Sequence, residues 1–190
     1  MQLLNSSARY GAIAQSLHWS VVLLVVLAWG LGAVGDEVPK GTAEAAVLFV
    51  HISAGLLVVL LTMMRLLWRL ADPSPQPEAT EFGNFAFAGW IGLGAKLAHL
   101  GLYILLVAVP LLGIAVEFAR GKGLPVFGLF EIATPWPADR ALARTLKGIH
   151  ELLAHGLMAL AGLHAVSALI HHWIFRDNTL VRMLPGSRGR

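Results

Sequence analysis

Four stretches of this chain contain no Asp, Glu, Lys or Arg: Tyr10 to Gly35, Ala45 to Met64, Leu97 to Val116 and Leu152 to Phe175. Each reaches the ~20 apolar residues that a helix needs to cross the hydrocarbon core of a bilayer. In lipid the backbone must satisfy its own hydrogen bonds, and an unbroken apolar run does so as an α-helix. The chain is therefore expected to be an all-α integral membrane protein, a four-transmembrane-helix bundle. Its helices are predicted at about 12–35, 45–68, 96–117 and 147–175, in a single domain spanning 1–190. Charged residues make up only 13% of the chain, against ~25% in soluble domains.

Several functions are excluded by what the chain lacks. It has no Cys, which removes disulfides, iron–sulfur clusters, thiol catalysis and covalent haem attachment through C-x-x-C-H. No basic stretch interleaved with aromatics suggests nucleic acid. The first apolar run is too long for a cleaved signal peptide, so none is expected. The segment "GIHELLAHGL" almost spells the zinc-protease motif H-E-x-x-H, in which the two histidines lie four apart on one helix face. Here His150 and His155 are five apart and point roughly 140° away from each other. One helix cannot present both to the same metal.

Four spans place both termini on one side. With the termini inside, the inner segments carry Arg9, Arg65, Arg69, Lys96, Arg176, Arg182, Arg188 and Arg190. The outer loops carry Lys40, Arg120, Lys122, Arg140, Arg144 and Lys147. The excess of cations inside predicts cytoplasmic termini. The inner loop begins with "DPSPQP", a helix stop followed by an extended turn. "FGNFAFAGWIGLGA", residues 82–95, is Gly-rich and too short to span, and reads as an interfacial lead-in to the third helix. The second outer loop carries the turn signals "GKGLP" and "TPWPAD". Pro110 falls inside the third helix, where a kink is expected.

The eight histidines are His18, His51, His99, His150, His155, His164, His171 and His172. The ordinary explanation of any one of them is an interhelical hydrogen bond, since a polar ring in hydrocarbon needs a partner. As a set they say more. His150 and His164 are fourteen apart on the fourth helix. They point within about 40° of each other and lie about 21 Å apart along the axis. His18 stands at the inner depth of the first helix and His51 at the outer depth of the second. Matching depths gives two pairs, His18 with His164 and His51 with His150, whichever way the chain is inserted.

Two imidazoles on facing helices at one depth describe a bis-histidine haem site. Zinc would require three or four ligands. The reading is thus a bundle enclosing two haems b, held non-covalently, with His18, His51, His150 and His164 as axial iron ligands. Gly55, Gly148 and Gly162 are small neighbours suited to a bulky ring, or to ordinary close helix packing. His155 faces elsewhere on the fourth helix and is expected to make a hydrogen bond. His99, His171 and His172 lie near the inner interface, where they could meet haem propionates or a quinone headgroup. Trp19, Trp29, Trp68 and Trp173 read as interface-belt residues.

The stretches "RYGAIAQSLHWSVVLLVV", "FVHISAGLLVVLLTMMRLLWRL", "KLAHLGLYILLVAVPLLGIA" and "IHELLAHGLMALAGLHAVSALIHHWIFRDNTLVRMLP" resemble the bacterial cytochrome b561 family, in order and over nearly the whole chain. The last is the most specific, joining His150, His164, the His171–His172 pair and the D-N-T-L-x-R-M-L-P tail. The resemblance implies a four-helix diheme b-type cytochrome of the bacterial inner membrane, with axial ligands at His18, His51, His150 and His164. It also implies electron exchange with the quinone pool. Similar family members oxidise superoxide and pass its electron to ubiquinone. The first outer loop and the Gly-rich lead-in depart from the family pattern, so no site is carried over there.

Arg120, Lys122, Arg140, Arg144 and Lys147 place five cations on the outer side, partly balanced by Glu117, Glu131 and Asp139. As a group they could focus a small anion such as superoxide toward the outer haem. The leading expectation is superoxide oxidation coupled to ubiquinone reduction, with superoxide or another outer-side donor and the quinone pool as partners. One alternative is a cytochrome b subunit serving a hydrogenase or dehydrogenase as its protein redox partner. Another is a haem-free helical membrane protein using His for packing or proton relay.

Overall fold

The computed structural model describes residues 2–76 and 88–186. It contains four long helices: α1 (Ala12–Val34), α2 (Thr42–Ala71), α3 (Ala88–Ala119) and α4 (Arg140–Trp173). All four are long and apolar enough to cross a membrane. Short 3-10 turns follow α1, at Gly35–Glu37, and lie beyond α4, at Val181–Met183. A small antiparallel hairpin, β1 (Leu124–Val126) and β2 (Phe130–Ile132), lies between α3 and α4.

Two helices start earlier than the charge-free runs suggest. For α4 the cause is a cap: the Asp139 carboxylate accepts hydrogen bonds from the Ala141 and Leu142 N–H groups, at 2.9 and 3.0 Å. This satisfies two of the donors that open a helix and adds two turns before residue 147. For α3, residues 88–95, read as an interfacial lead-in, are helical. The rest of that lead-in, 82–87, lies outside the described residues, as do Arg188 and Arg190. Helix α3 continues through Pro110 without a break.

The helices pack as two antiparallel pairs, α1 on α2 and α3 on α4, with α2 against α3 joining them. The direct seam between α1 and α4 is sparse. One residue from each helix, Val21, Val58, Leu106 and Leu157, forms the buried core, with Leu24, Leu61 and Leu102 packed against it. On every helix this layer falls between the inner and outer histidine depths. It is an apolar divider across the middle of the bundle. Outward-facing Leu23, Leu60, Ile104, Leu152 and Leu163 are more than half exposed, as a lipid-facing surface requires and a water-facing one would not tolerate.

The hairpin covers the end of the bundle away from the termini, the outer end on the expected topology. Its turn is closed by the Leu129 N–H donating to Val126 O at 3.0 Å. Phe127 and Gly128 both take positive φ, 52° and 71°, the primed-turn geometry that suits hairpin twist. At Gly128 a Cβ would meet the Phe49 ring of α2 at 3.5 Å, so the tip is seated on the second helix. Phe127 accepts a conformation that glycine adopts more readily, which is why the sequence shows only turn signals here.

The C-terminal segment folds back over the inner end. Gln15 Nε2 donates to Arg182 O, and the Trp19 indole N–H donates to Met183 O at 2.9 Å. His171 Nδ1 bonds Asp177 Oδ2 at 2.5 Å. Burial pulls the Asp177 pKa up, but the hydrogen bonds from His171 and Thr179 outweigh it and hold the carboxyl below its ordinary value. A depressed carboxylate pKa stabilises the fold above the ordinary value, near ~4, and the gain is lost as pH falls below it. The hydrogen-exchange protection of residues 174–186, corrected for the intrinsic rate at each pH, is therefore expected to fall in the wild type as pH drops below ~4. In Asp177→Asn it should be low already at pH 6.

Candidate haem-binding site

The structure brings together the two pairs inferred from depth. The His18 and His164 ring centroids are 6.5 Å apart, and those of His51 and His150 are 6.0 Å apart. Two imidazole nitrogens on one iron, each about 2 Å from it, put the ring centres about 6 Å apart. The spacing therefore suits an iron between the rings of each pair. Among the described residues no three His, Asp or Glu side chains group to hold a bare metal ion.

The outer pair is positioned by carbonyls. His51 Nδ1–H donates to Ala28 O at 2.8 Å, and His150 Nδ1–H donates to Val109 O at 2.9 Å. Each bond fixes the ring and leaves Nε2 as the free lone pair, the usual arrangement behind a metal-ligating histidine. Beside the pair is an apolar cavity open on one side. Val25, Trp29, Gly55, Val109, Leu124 and Met158 are among its walls. Leu124 belongs to the hairpin, so the outer loop helps to close the cavity.

Two glycines touch the outer rings, and sequence reading missed both. A Cβ at Gly32 would lie 3.1 Å from His51 Cε1, and one at Gly113 would lie 3.2 Å from His150 Cε1. Of the three glycines singled out from sequence, only Gly55 lines the cavity. Cβ atoms at Gly148 and Gly162 would meet nothing within 4 Å. Chain neighbourhood to a histidine was the wrong criterion, because the contacts come from facing helices.

The inner pair differs. His18 Nδ1 is buried without a hydrogen-bond partner among the described residues, a cost in an apolar setting that a ligand to the ring would offset. His99 stands 5.2 Å from His164, ring to ring, with its Nδ1–H on Ala95 O. Arg65 lies over the Tyr103 ring, 5.8 Å from its centre. Both sites fit the group: paired imidazoles at iron-bridging distance, a cavity beside one pair and an orphaned ring nitrogen in the other.

A family model described as prokaryotic cytochrome b561 matches residues 9–186. The chain belongs to this family. Among its relatives is a Yersinia pestis protein named probable superoxide oxidase CybB, 35% identical over 183 residues, covering 95% of this chain and 98% of the relative. Cytochrome b561 homolog 2 of Escherichia coli K12 is 33% identical over 189 residues, covering 98% and 97%. A protein of Cereibacter sphaeroides named cytochrome b562 is 31% identical over 180 residues, covering 92% and 94%. As a cytochrome b561, the chain is a multi-pass inner-membrane protein of electron transport that binds b-type haem and works with quinone.

The remaining histidines and tryptophans of this cytochrome take local partners. His155 Nδ1 accepts the Trp29 indole N–H at 3.1 Å. His172 lies beside Trp173. Trp68 Nε1 is buried with no hydrogen-bond partner among the described residues, so it is not a simple belt residue. At the outer end Lys147 bonds Asp36 at 2.7 Å, tying α4 to the turn after α1.

Proposed function

We propose that the chain carries two haems b, one between His18 and His164 and one between His51 and His150, and moves electrons from superoxide on the outer side to ubiquinone. Bis-histidine haem supplies one-electron chemistry at its edge, because the iron has no vacant position. The observation that carries the reading is the pair of imidazole couples at 6.5 and 6.0 Å, set about 21 Å apart on α4. Both termini are placed in the cytoplasm, with the hairpin outside. The likeness to the protein named as a superoxide oxidase supports the donor.

The protein's own contribution is positional. Val109 O and Ala28 O hold the outer imidazoles in one tautomer, and the Val21–Val58–Leu106–Leu157 layer keeps water from the bundle centre. Of the five outer cations, Arg120 is paired with Glu117 at 2.5 Å and Lys147 with Asp36. Lys122, Arg140 and Arg144 are exposed and without ion-pair partners among the described residues. These three remain to attract an anion to the outer side.

Replacement of Gly113 by Val tests the outer site. The added side chain would crowd His150, an overpacking that costs about 1–3 kcal/mol. In a redox titration, one of two haem components should shift while the other stays fixed. Shifts of both, or of neither, would count against two separate sites.

A second reading, a cytochrome b subunit for a protein partner such as a hydrogenase or dehydrogenase, draws on the exposed hairpin residues Leu129 and Phe130, 79% and 59% accessible. Recovery of a stoichiometric second subunit from native membranes would favour it. Rapid reaction of the purified chain alone with superoxide would count against it.

A further inference from the structure

The hairpin between α3 and α4 has two faces of opposite character. Cross-strand partners share a face, and the register pairs Leu124 with Ile132, Pro125 with Glu131 and Val126 with Phe130. One face is therefore wholly apolar: Leu124, Val126, Phe130 and Ile132. The other carries Pro125 and Glu131, and the Glu131 carboxyl folds over Gly123, where a Cβ would collide with it. Only half of the apolar face is covered by the bundle. Leu124 is buried and lines the outer cavity. Phe130 and Ile132 are 59% and 46% exposed, and Leu129 at the turn is 79% exposed. Strand β1 thus rests on the helices and β2 overhangs them, its bare apolar side chains turned the same way as Leu124.

Depth places that overhang at the edge of the lipid. Across the turn, a Cβ at Gly128 would meet the Phe49 ring at 3.5 Å. Phe49 and Val50 of α2 are themselves 39% and 42% exposed, so they face the bilayer. Phe49 lies four residues inside the charge-free run that starts at Ala45, about 6 Å below its end. The hairpin tip is continuous with the lipid-facing surface of α2. Trp136 follows β2 and sets its ring edge-on to Phe118, 5.9 Å away; tryptophan is favoured at the membrane–water interface. The strands have unpaired edges, which cannot enter hydrocarbon. The backbone therefore belongs among the headgroups, with the apolar side chains reaching the acyl chains below.

We infer that the hairpin is an interfacial membrane anchor: Leu129, Phe130 and Ile132 insert into the leaflet beside α2 while Glu131 stays in water. The occupant of this patch is phospholipid. A soluble protein approaching from water would meet Pro125 and Glu131 instead. The strand pairing carries the grip on lipid from β2 to β1, which holds Leu124 over the outer cavity. The anchor stands whichever donor reduces the haem.

The chain has no Cys, so single cysteines can be placed in the haem-loaded protein, one chain per nanodisc. Phe130→Cys, Ile132→Cys and Glu131→Cys are each labelled with a bimane fluorophore. Brominated phospholipid should quench the label at 130 and 132 about threefold more than aqueous iodide does, and the order should reverse at 131. Haem spectra should match wild type in every variant. Strong iodide quenching at all of these positions would leave the hairpin in water and overturn the proposal. Protection from both quenchers at 130 and 132 would mean that protein covers them, and would overturn it equally. The unsubstituted chain gives an independent reading, free of any effect of the label. A phospholipid with a diazirine in its acyl chain should form adducts within residues 127–132 as well as on α2. Adducts on α2 with none on the hairpin would also overturn the proposal.

Discussion

Replacing His51 or His150 by Ala is expected to leave one haem per chain, and replacing His18 or His164 to leave the other. Wild type should hold two, measured by pyridine haemochrome against protein mass. The effect is large because a haem iron fixed by two imidazoles loses half its protein ligation when one is removed. The two vacated rings are not equivalent. His51 and His150 are each anchored by a backbone carbonyl, at 2.8 and 2.9 Å, so the surviving partner of either substitution keeps its orientation. His18 has a buried ring nitrogen without a partner, and its loss should also leave His164 beside His99, 5.2 Å away. Substitution of His155 should leave both haems in place. Equal haem loss in His155→Ala and His150→Ala would contradict the pairing.

The second large effect is electrostatic. Substituting Lys122, Arg140 and Arg144 together by Gln should slow haem reduction by superoxide about tenfold at low salt. It should also flatten the salt dependence of that rate. Attraction between exposed charges is screened over ~10 Å at 0.1 M salt, so the wild-type rate should fall as ionic strength rises. Arg120 and Lys147 should matter less, because Glu117 and Asp36 already face them. Reduction by a neutral quinol should scarcely respond to either change. Identical salt dependence in wild type and triple variant would reduce these cations to a solvated loop.

The four spans were legible because hydrocarbon imposes a long, uncharged run on any crossing helix. The histidine pairs were legible because helical rise converts sequence spacing into depth. Contacts between helices were not. Gly32 and Gly113 touch His51 and His150 across helix interfaces, and no spacing rule within one helix points to them. The same holds for the Trp29–His155 bond and the Asp36–Lys147 bridge, which join residues more than a hundred positions apart. The early start of α4 was in principle readable from Asp139 after "TPWP", an N-cap signal. The hairpin was not readable, since its strands are three residues each and its turn places Phe127 at positive φ.

Stopped-flow mixing of the oxidised, haem-loaded protein with superoxide tests the central claim most directly. The account predicts rapid appearance of the reduced-haem spectrum, followed by reoxidation when ubiquinone is present and persistence of the reduced spectrum when it is absent. Haems that stay oxidised in superoxide, yet are reduced by a quinol or by a protein partner, would contradict it.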